Sequence, residues 1–160
     1  MDRFLAALTA AAALGCGLNA GVFFAFSSFV MKALARLQPA QGVTAMQSIN
    51  VVAVTPAFMV ALFGTALACV ALGAWALADR DAAAAPYLLA GSTVYLLGAI
   101  GLTVAYHVPR NNALATLHPG QAEAAARWAD YLSGWTRWNH LRAGAALAAA
   151  ALFTLGLQMG

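Results

Sequence analysis

The chain has 160 residues, of which 63% are hydrophobic and only 8% are charged. So little polar surface cannot cover a water-soluble globule of this size, and most of the surrounding solvent is therefore predicted to be lipid. The eight lysines and arginines, which leave a formal net charge of +3, form no continuous basic patch and argue against nucleic acid as a partner. No linker or low-complexity tail divides the chain, so residues 1–160 are predicted to form a single transmembrane domain.

Four largely uncharged stretches are long enough to cross a bilayer, which takes about 20 helical residues. They predict spans at about 5–31, 51–78, 86–107 and 140–159, and hence an all-α polytopic membrane protein built as a four-helix transmembrane bundle. The first stretch is too long for the apolar part of a signal peptide and is expected to stay as an uncleaved helix. Polar residues from Gln38 to Asn50 precede the second span and predict a short interfacial helix.

The segment from Gln121 to Arg142 has two polar faces at helical pitch, about 100° per residue. One face is purely charged and is predicted to be solvated; it carries Glu123, Arg127, Asp130 and Arg137. The other is aromatic and polar and is expected to meet protein or lipid headgroups; it carries Trp128, Tyr131, Trp135, Asn139 and Arg142. We therefore predict an extra amphipathic segment that runs directly into the fourth span.

Basic residues in short loops set the orientation of a membrane protein. Arg3 and Arg80 lie on one side of the predicted bundle. Six basic residues lie on the other side: Lys32, Arg36, Arg110, Arg127, Arg137 and Arg142. This bias predicts a topology like that of a bacterial inner-membrane protein, with both termini outside and the loops after the first and third spans in the cytoplasm.

Polar residues collect at the end of the bundle that this topology places in the cytoplasm. Alternation of the spans brings the ends of the first and third together with the starts of the second and fourth. Polar groups near hydrocarbon are costly unless they are partnered, so such a cluster is a candidate functional site. The predicted substrate-binding residues are Asn19, Phe23, Ser27, Gln47, Asn50, Thr103, Tyr131 and Trp135. The predicted catalytic residues are His107, His140, Asn139, Asn111 and Arg142.

Other interpretations of these residues stay open at this point. Asn19 and Ser27 also suit interhelical hydrogen bonds, and Arg142 suits either a lipid phosphate or an anionic substrate group. The three histidines show no HxxxH or HxxE spacing, and no metal site is predicted. Cysteines 16 and 69 lie in apolar runs and are predicted to be packing residues. No acidic residue falls inside a span, which argues against a proton or cation carrier.

Four motifs resemble a small membrane-protein family, long labelled a domain of unknown function, that includes the anthrone oxygenases. They occur in the expected order along nearly the whole chain: Asn19–Ser27 with Val30 and Met31; Met46–Asn50; Val108–Leu114; and Trp128, Tyr131, Trp135, Trp138, Asn139, His140 and Arg142. The resemblance implies a four-span protein and, for some members, oxygenation of an anthrone to an anthraquinone without metal, haem or flavin. Arg110 departs from the family's Pro-x-Asn pattern, where a small or apolar residue is expected.

This chemistry predicts a cofactor-independent monooxygenase acting on an aromatic polyketide-like or other hydrophobic substrate. His140 or His107 would remove a proton, and Asn139, Asn111 or Arg142 would stabilise the oxyanion that forms. Flat rings would stack on Trp135, Tyr131 and Phe23. The alternative is a protein without catalysis, either a membrane accessory subunit or a binding protein for lipid or small molecules. The expected partners are the lipid bilayer, a hydrophobic small molecule, and a second copy or another membrane protein.

Overall fold

The chain forms five helices in a computed structural model, which describes residues 2–159. They are α1 (Arg3–Leu34), α2 (Pro39–Val52), α3 (Pro56–Ala78), α4 (Ala85–Ala115) and α5 (Ala124–Gln158). No strand occurs within these residues. Four of the helices, all except α2, are long and apolar enough to cross a membrane. The all-α, four-span prediction is confirmed.

Local sequence signals explain where the helices begin. The Asp2 carboxylate accepts a hydrogen bond from the backbone N–H of Leu5 (2.8 Å) and caps α1. Thr55 caps α3 in the same way, by accepting from the N–H of Phe58 (3.2 Å). Proline occupies the first turn of α2, α3 and α4, where its missing N–H costs no helical hydrogen bond.

The observed helix bounds differ from the predicted spans at three places. The second span was placed at 51–78, but α2 ends at Val52 and the next helix starts at Pro56, because a proline forces the residue before it into an extended conformation. The third was placed at 86–107, yet α4 runs on through Pro109 to Ala115. The fourth, placed at 140–159, is the later part of a helix that begins at Ala124, so the amphipathic segment runs directly into this span, as predicted.

The four long helices form a square in which α1 and α4 are diagonal. Each of these two packs against both α3 and α5. Small residues allow close approach: a Cβ added at Gly98 of α4 would collide with the Cβ of Ala145 of α5. Helix α2 lies across one end, where it packs with the ends of α1 and α4 and the start of α5 around the buried rings of Trp128, Tyr131 and Trp135. We call this end of the bundle the polar end.

Wide π-helical turns interrupt three of the four long helices. They are Phe26–Val30 in α1, Val60–Gly64 in α3, and Tyr95–Gly101 with Thr103–His107 in α4. The last of these ends just before Pro109, a residue that would clash with a carbonyl of a regular α-helix. Turns of this kind are frequent at functional sites. Helix α5 remains α-helical throughout.

Candidate functional site

A cavity of about 360 Å³ opens inside the polar end, within the range usual for small-molecule sites. All five helices contribute to its wall. Its polar lining residues are Asn50, Thr55, Thr103, His107, Asn111 and Arg142, and its aromatic ones are Phe23, Phe26, Phe58 and Trp135. The remaining wall is aliphatic or made of Met. The cavity is therefore largely apolar, with a few polar groups that could orient a ligand.

Arg142 supplies the positive charge of this cavity. Its side chain is 7% exposed and lies over the ring of Phe23, with 4.0 Å from Cζ to the ring centroid. Its Nε and Nη2 donate to Oδ1 of Asn139 (3.1 and 2.6 Å), and Nη1 donates to Oγ1 of Thr103 (3.1 Å). A guanidinium has five N–H donors, so two are left for a ligand.

The charge of Arg142 has no carboxylate partner within residues 2–159. The ion pairs found there join Arg110 to Asp130 and Arg127 to Glu123, and both are exposed to a large degree. An unpaired buried cation is costly, and one inside a membrane span marks a functional site by default. The cavity therefore offers a ready site for an anionic or partly negative oxygen.

Asn139 holds Arg142 in place and joins two helices. Its Nδ2 donates to the backbone carbonyl of Phe23 and to Oγ of Ser27 in α1, both at 2.7 Å, while its Oδ1 accepts the two bonds from Arg142. Asn139 and Ser27 are buried behind the cavity and do not line it. Their geometry makes them positioning residues for the guanidinium.

His107 faces the same cavity from α4. It is 1% exposed, and neither ring nitrogen has a hydrogen-bond partner within the described chain. Its ring stands edge-on to Trp135 (4.9 Å between centroids), and the guanidinium of Arg142 lies 5.5 Å from the centre of the same indole. Imidazole and guanidinium thus both lie against one aromatic ring, and the ring nitrogens of the imidazole have no partner among residues 2–159.

Two amides occupy the side of the cavity near α2. Oδ1 of Asn111 accepts from the hydroxyl of Tyr131 (2.8 Å) and from Nε1 of Trp135 (3.0 Å), which fixes both rings. Asn50 lines the cavity, and its buried Nδ2 has no partner among residues 2–159. Because an unsatisfied buried donor costs free energy, Asn50 is a second candidate for contact with a ligand oxygen.

Seven of the thirteen residues proposed from the sequence line the cavity: Phe23, Asn50, Thr103, His107, Asn111, Trp135 and Arg142. Tyr131, Asn139 and Ser27 lie directly behind them. Asn19 lies deeper, where its Nδ2 donates to the carbonyls of Gly15 and Ala61 and to the hydroxyl of Tyr95. Those bonds favour the interhelical role that the sequence had left open for Asn19.

Two predicted site residues lie elsewhere. Gln47 donates to the carbonyls of Leu114 and Leu117 (2.8 and 2.9 Å) and so secures the end of α4, outside the cavity lining. His140 is exposed and is also absent from the lining. Consecutive residues of a helix point about 100° apart, so the turn that directs Asn139 inward directs His140 outward. The assignment of His140 to the pocket is therefore corrected.

The sequence analysis missed the wall formed by α2 and the first turns of α3. Its members are Met46, Ile49, Ala53, Val54, Thr55, Phe58, Met59 and Leu62. Except for Thr55, these side chains are apolar and give no sign of a site. The one available indication was the proline at position 56, which breaks the helix and turns both flanking segments toward the cavity.

Replacing Asn139 by leucine is expected to lower the free energy of unfolding by about 3 kcal/mol, because two donors of a buried guanidinium lose their acceptor. In an Arg142→Met background the same replacement should cost much less. Chemical denaturation in detergent of both single variants and the double variant measures this coupling. Asn112→Leu, the same replacement at an exposed position of α4, serves as the control and should leave stability nearly unchanged. If Asn139→Leu lowers the free energy of unfolding equally in both backgrounds, Asn139 does not position Arg142.

Taken together, the helices and the cavity define a small polytopic membrane protein with a largely apolar ligand site. The sequence profile described as anthrone oxygenase matches residues 56–152, more than half of the chain and including His107, Asn111, Trp135 and Arg142. The chain belongs to the anthrone oxygenase family. Comparison with curated proteins and with solved structures gives no match. Within residues 2–159, no group of three or more His, Cys, Asp or Glu residues is placed to hold a metal ion.

Proposed function

We propose that this protein oxygenates a flat, hydrophobic anthrone-type ketone in the cavity at the polar end, with His107 as the base and without a redox cofactor. One observation supports this above the others. Within residues 2–159, an imidazole with no hydrogen-bond partner and a guanidinium with no carboxylate partner line the same apolar cavity and contact the same indole, that of Trp135. Family membership agrees with the reaction type.

The substrate itself carries the reactivity that this chemistry needs. An anthrone has a CH₂ group between two aromatic rings and opposite a carbonyl. Loss of one proton from it gives an aromatic enolate, which reacts directly with dioxygen. In the proposed first step the C–H bond breaks, its proton moves to a ring nitrogen of His107, and its electron pair enters the enolate. The negative charge then rests on the oxygen that Arg142 binds.

The following steps use dioxygen as the oxidant. The enolate transfers an electron to O₂, and the two radicals combine to form a C–O bond and a peroxide. His107 returns its proton to the peroxide, which becomes a hydroperoxide. His107 then takes the second proton from that carbon while the O–O bond breaks, the new C=O forms and hydroxide leaves, and the hydroxide takes this proton from His107 to become water. Anthrone and O₂ thus give anthraquinone and one water. The carbon centre is oxidised by four electrons, and O₂ accepts all of them.

Arg142 and Asn50 stabilise charge in this scheme. The two N–H groups of Arg142 that make no hydrogen bond within residues 2–159 donate to the enolate oxygen. The low polarity of the cavity wall strengthens this interaction. The unpartnered Nδ2 of Asn50 is a further donor. Phe23, Phe26 and Trp135 provide flat surfaces on which the ring system stacks.

The test is oxygen uptake by the purified protein in lipid nanodiscs, with anthrone as the substrate. We expect one O₂ consumed for each anthraquinone formed, at a rate several-fold above autoxidation in empty nanodiscs. Ile49→Trp fills the cavity from α2 and should abolish the excess rate. Ser48→Trp, at an exposed position of the same helix and outside the lining, is the matched control.

Two outcomes would contradict the proposal. An uptake rate equal to that in empty nanodiscs would exclude oxygenation of anthrone. Equal activity in the Ile49→Trp and Ser48→Trp proteins would place the reaction outside the cavity. If quenching of tryptophan fluorescence shows that anthrone binds but no oxygen is taken up, the binding-protein alternative is favoured instead.

A further inference from the structure

The cavity has a mouth on the side of the bundle. Among its lining residues, the exposed ones are Ala53, Val54, Thr55 and Val108. The first three form the connection between α2 and α3, and Val108 lies on α4. All other lining residues are buried or half-buried. The opening therefore lies laterally, between the start of α3 and the facing part of α4.

The surface around this mouth is aliphatic. Val51, Val52, Val54 and Val60 are between 66% and 76% exposed, and Val104 of α4 is 59% exposed. Several exposed valines on one side of a protein are unfavourable in water and normal against acyl chains. The charged residue of the lining is Arg142, which is 7% exposed. The rim itself carries no charge.

The route along the bundle axis is closed by packed side chains. A layer at the polar end covers the cavity: Val43 and Met46 of α2 are at most 1% exposed, and Trp128 and Tyr131 of α5 are at most 4% exposed. A Cβ added at Gly42 would stand 2.7 Å from the ring of Trp128, which shows how closely α2 meets α5. Asn111 further ties Tyr131 to Trp135 beneath this layer.

Arg110 does not lie at the mouth of the cavity. Its Nη1 donates to Asp130 of α5 (2.7 Å), and its guanidinium lies over the ring of Tyr106. It also approaches Gly134 of α5. These contacts place Arg110 on the α5 side of α4, away from α3. A ligand that passes between Val54 and Val108 therefore meets its first charge only at Arg142.

From these observations we propose that the pocket opens into the hydrocarbon of the bilayer and takes its ligand from the membrane. The ligand is a flat, lipid-dissolved aromatic molecule with one oxygen that pairs with Arg142. Dioxygen, which concentrates in hydrocarbon, reaches the cavity by the same path. The identity of the ligand rests on the proposed function, whereas the position of the mouth rests on the structure alone.

Spin labels test the position of the mouth without any need for catalysis. Single cysteines replace Val54 or Val108 in a Cys16→Ala/Cys69→Ala background and carry a nitroxide, with the protein in phospholipid nanodiscs. Relaxation by dioxygen reports contact with hydrocarbon, and relaxation by a water-soluble nickel chelate reports contact with water. We expect strong relaxation by oxygen and weak relaxation by the nickel chelate at both positions. A label at Leu97→Cys should give similar values, because Leu97 lies in the middle of α4 and is 70% exposed.

Thr44→Cys, on the exposed polar face of α2, provides the aqueous control and should show the opposite pattern. Nickel effects at Val54 and Val108 as large as those at Thr44 would overturn the proposal, because the mouth would then face water. All labelled positions are exposed, so folding should be retained; unfolding curves verify this. Since no step measures oxygenation, failure of this inference and failure of the proposed reaction give separate results.

Discussion

Replacing His107 by alanine is expected to lower kcat for anthrone oxygenation by about 100- to 10,000-fold, the usual contribution of a positioned general base. The imidazole is the titratable group of the cavity that has no other hydrogen-bond partner in the described chain. It lies against Trp135, on which the substrate stacks in the proposed complex. Steady-state oxygen uptake at saturating anthrone measures the effect directly.

The matched control is His140→Ala. This histidine follows Asn139 on the same helix but is exposed and outside the cavity, so its removal should leave kcat within about twofold of the wild type. His107→Gln keeps polarity and much of the volume without a base, and should be as inactive as the alanine variant. Activity retained in both His107 variants, or lost in His140→Ala, would contradict the assignment of the base.

Replacing Arg142 by methionine is expected to reduce kcat/KM for anthrone by about 100- to 1,000-fold, because the enolate loses its principal hydrogen-bond donors. Stability should not fall in parallel. The substitution removes a buried cation whose desolvation costs several kcal/mol, and methionine fills a similar volume beside Phe23. Two acceptors lose a partner, but Oγ1 of Thr103 still donates to the carbonyl of Ala99. Enzyme kinetics and thermal unfolding in the same detergent separate the two effects.

Arg142→Lys completes this comparison. Lysine keeps the charge but not the planar fork that bonds Asn139 twice and Thr103 once. We expect partial activity, between that of the wild type and that of the methionine variant. A methionine variant that is both unstable and fully active when folded would show that Arg142 serves packing, and would remove it from the proposed mechanism.

Much of this architecture could be predicted because the membrane imposes strong constraints on sequence. Each span must be apolar along about 20 residues, so the four spans and the all-α fold follow from composition alone. The segment from Gln121 to Arg142 also showed helical periodicity, which indicated that Asn139 and Arg142 share a face. The same periodicity places His140 on a different face.

The remaining parts of the site depend on contacts between distant segments. Ile49 and Phe58 become cavity residues only because α2 folds back across the bundle, and an apolar side chain in a membrane protein carries no sign of this role. Gln47 seemed a pocket residue by position, yet its amide satisfies two free carbonyls near the end of α4. Which polar group meets a ligand and which meets a backbone carbonyl is decided by tertiary packing.

The π-helical turns change the rotational phase of a helix between the segment before the turn and the segment after it. Each holds about one residue more than the α-helical turn that it replaces, so the helix beyond it is rotated by about 100° relative to the helix before it. In α3 and α4, the segments that pack the membrane core are thus separated by such a turn from most of the residues that line the cavity. Insertion or loss of a single residue at Val60–Gly64 would reorient Phe58 and Met59 while leaving the membrane-core contacts of α3 in place. The size and lining of the pocket could therefore diverge among relatives through changes in residue count, with the transmembrane scaffold unaltered.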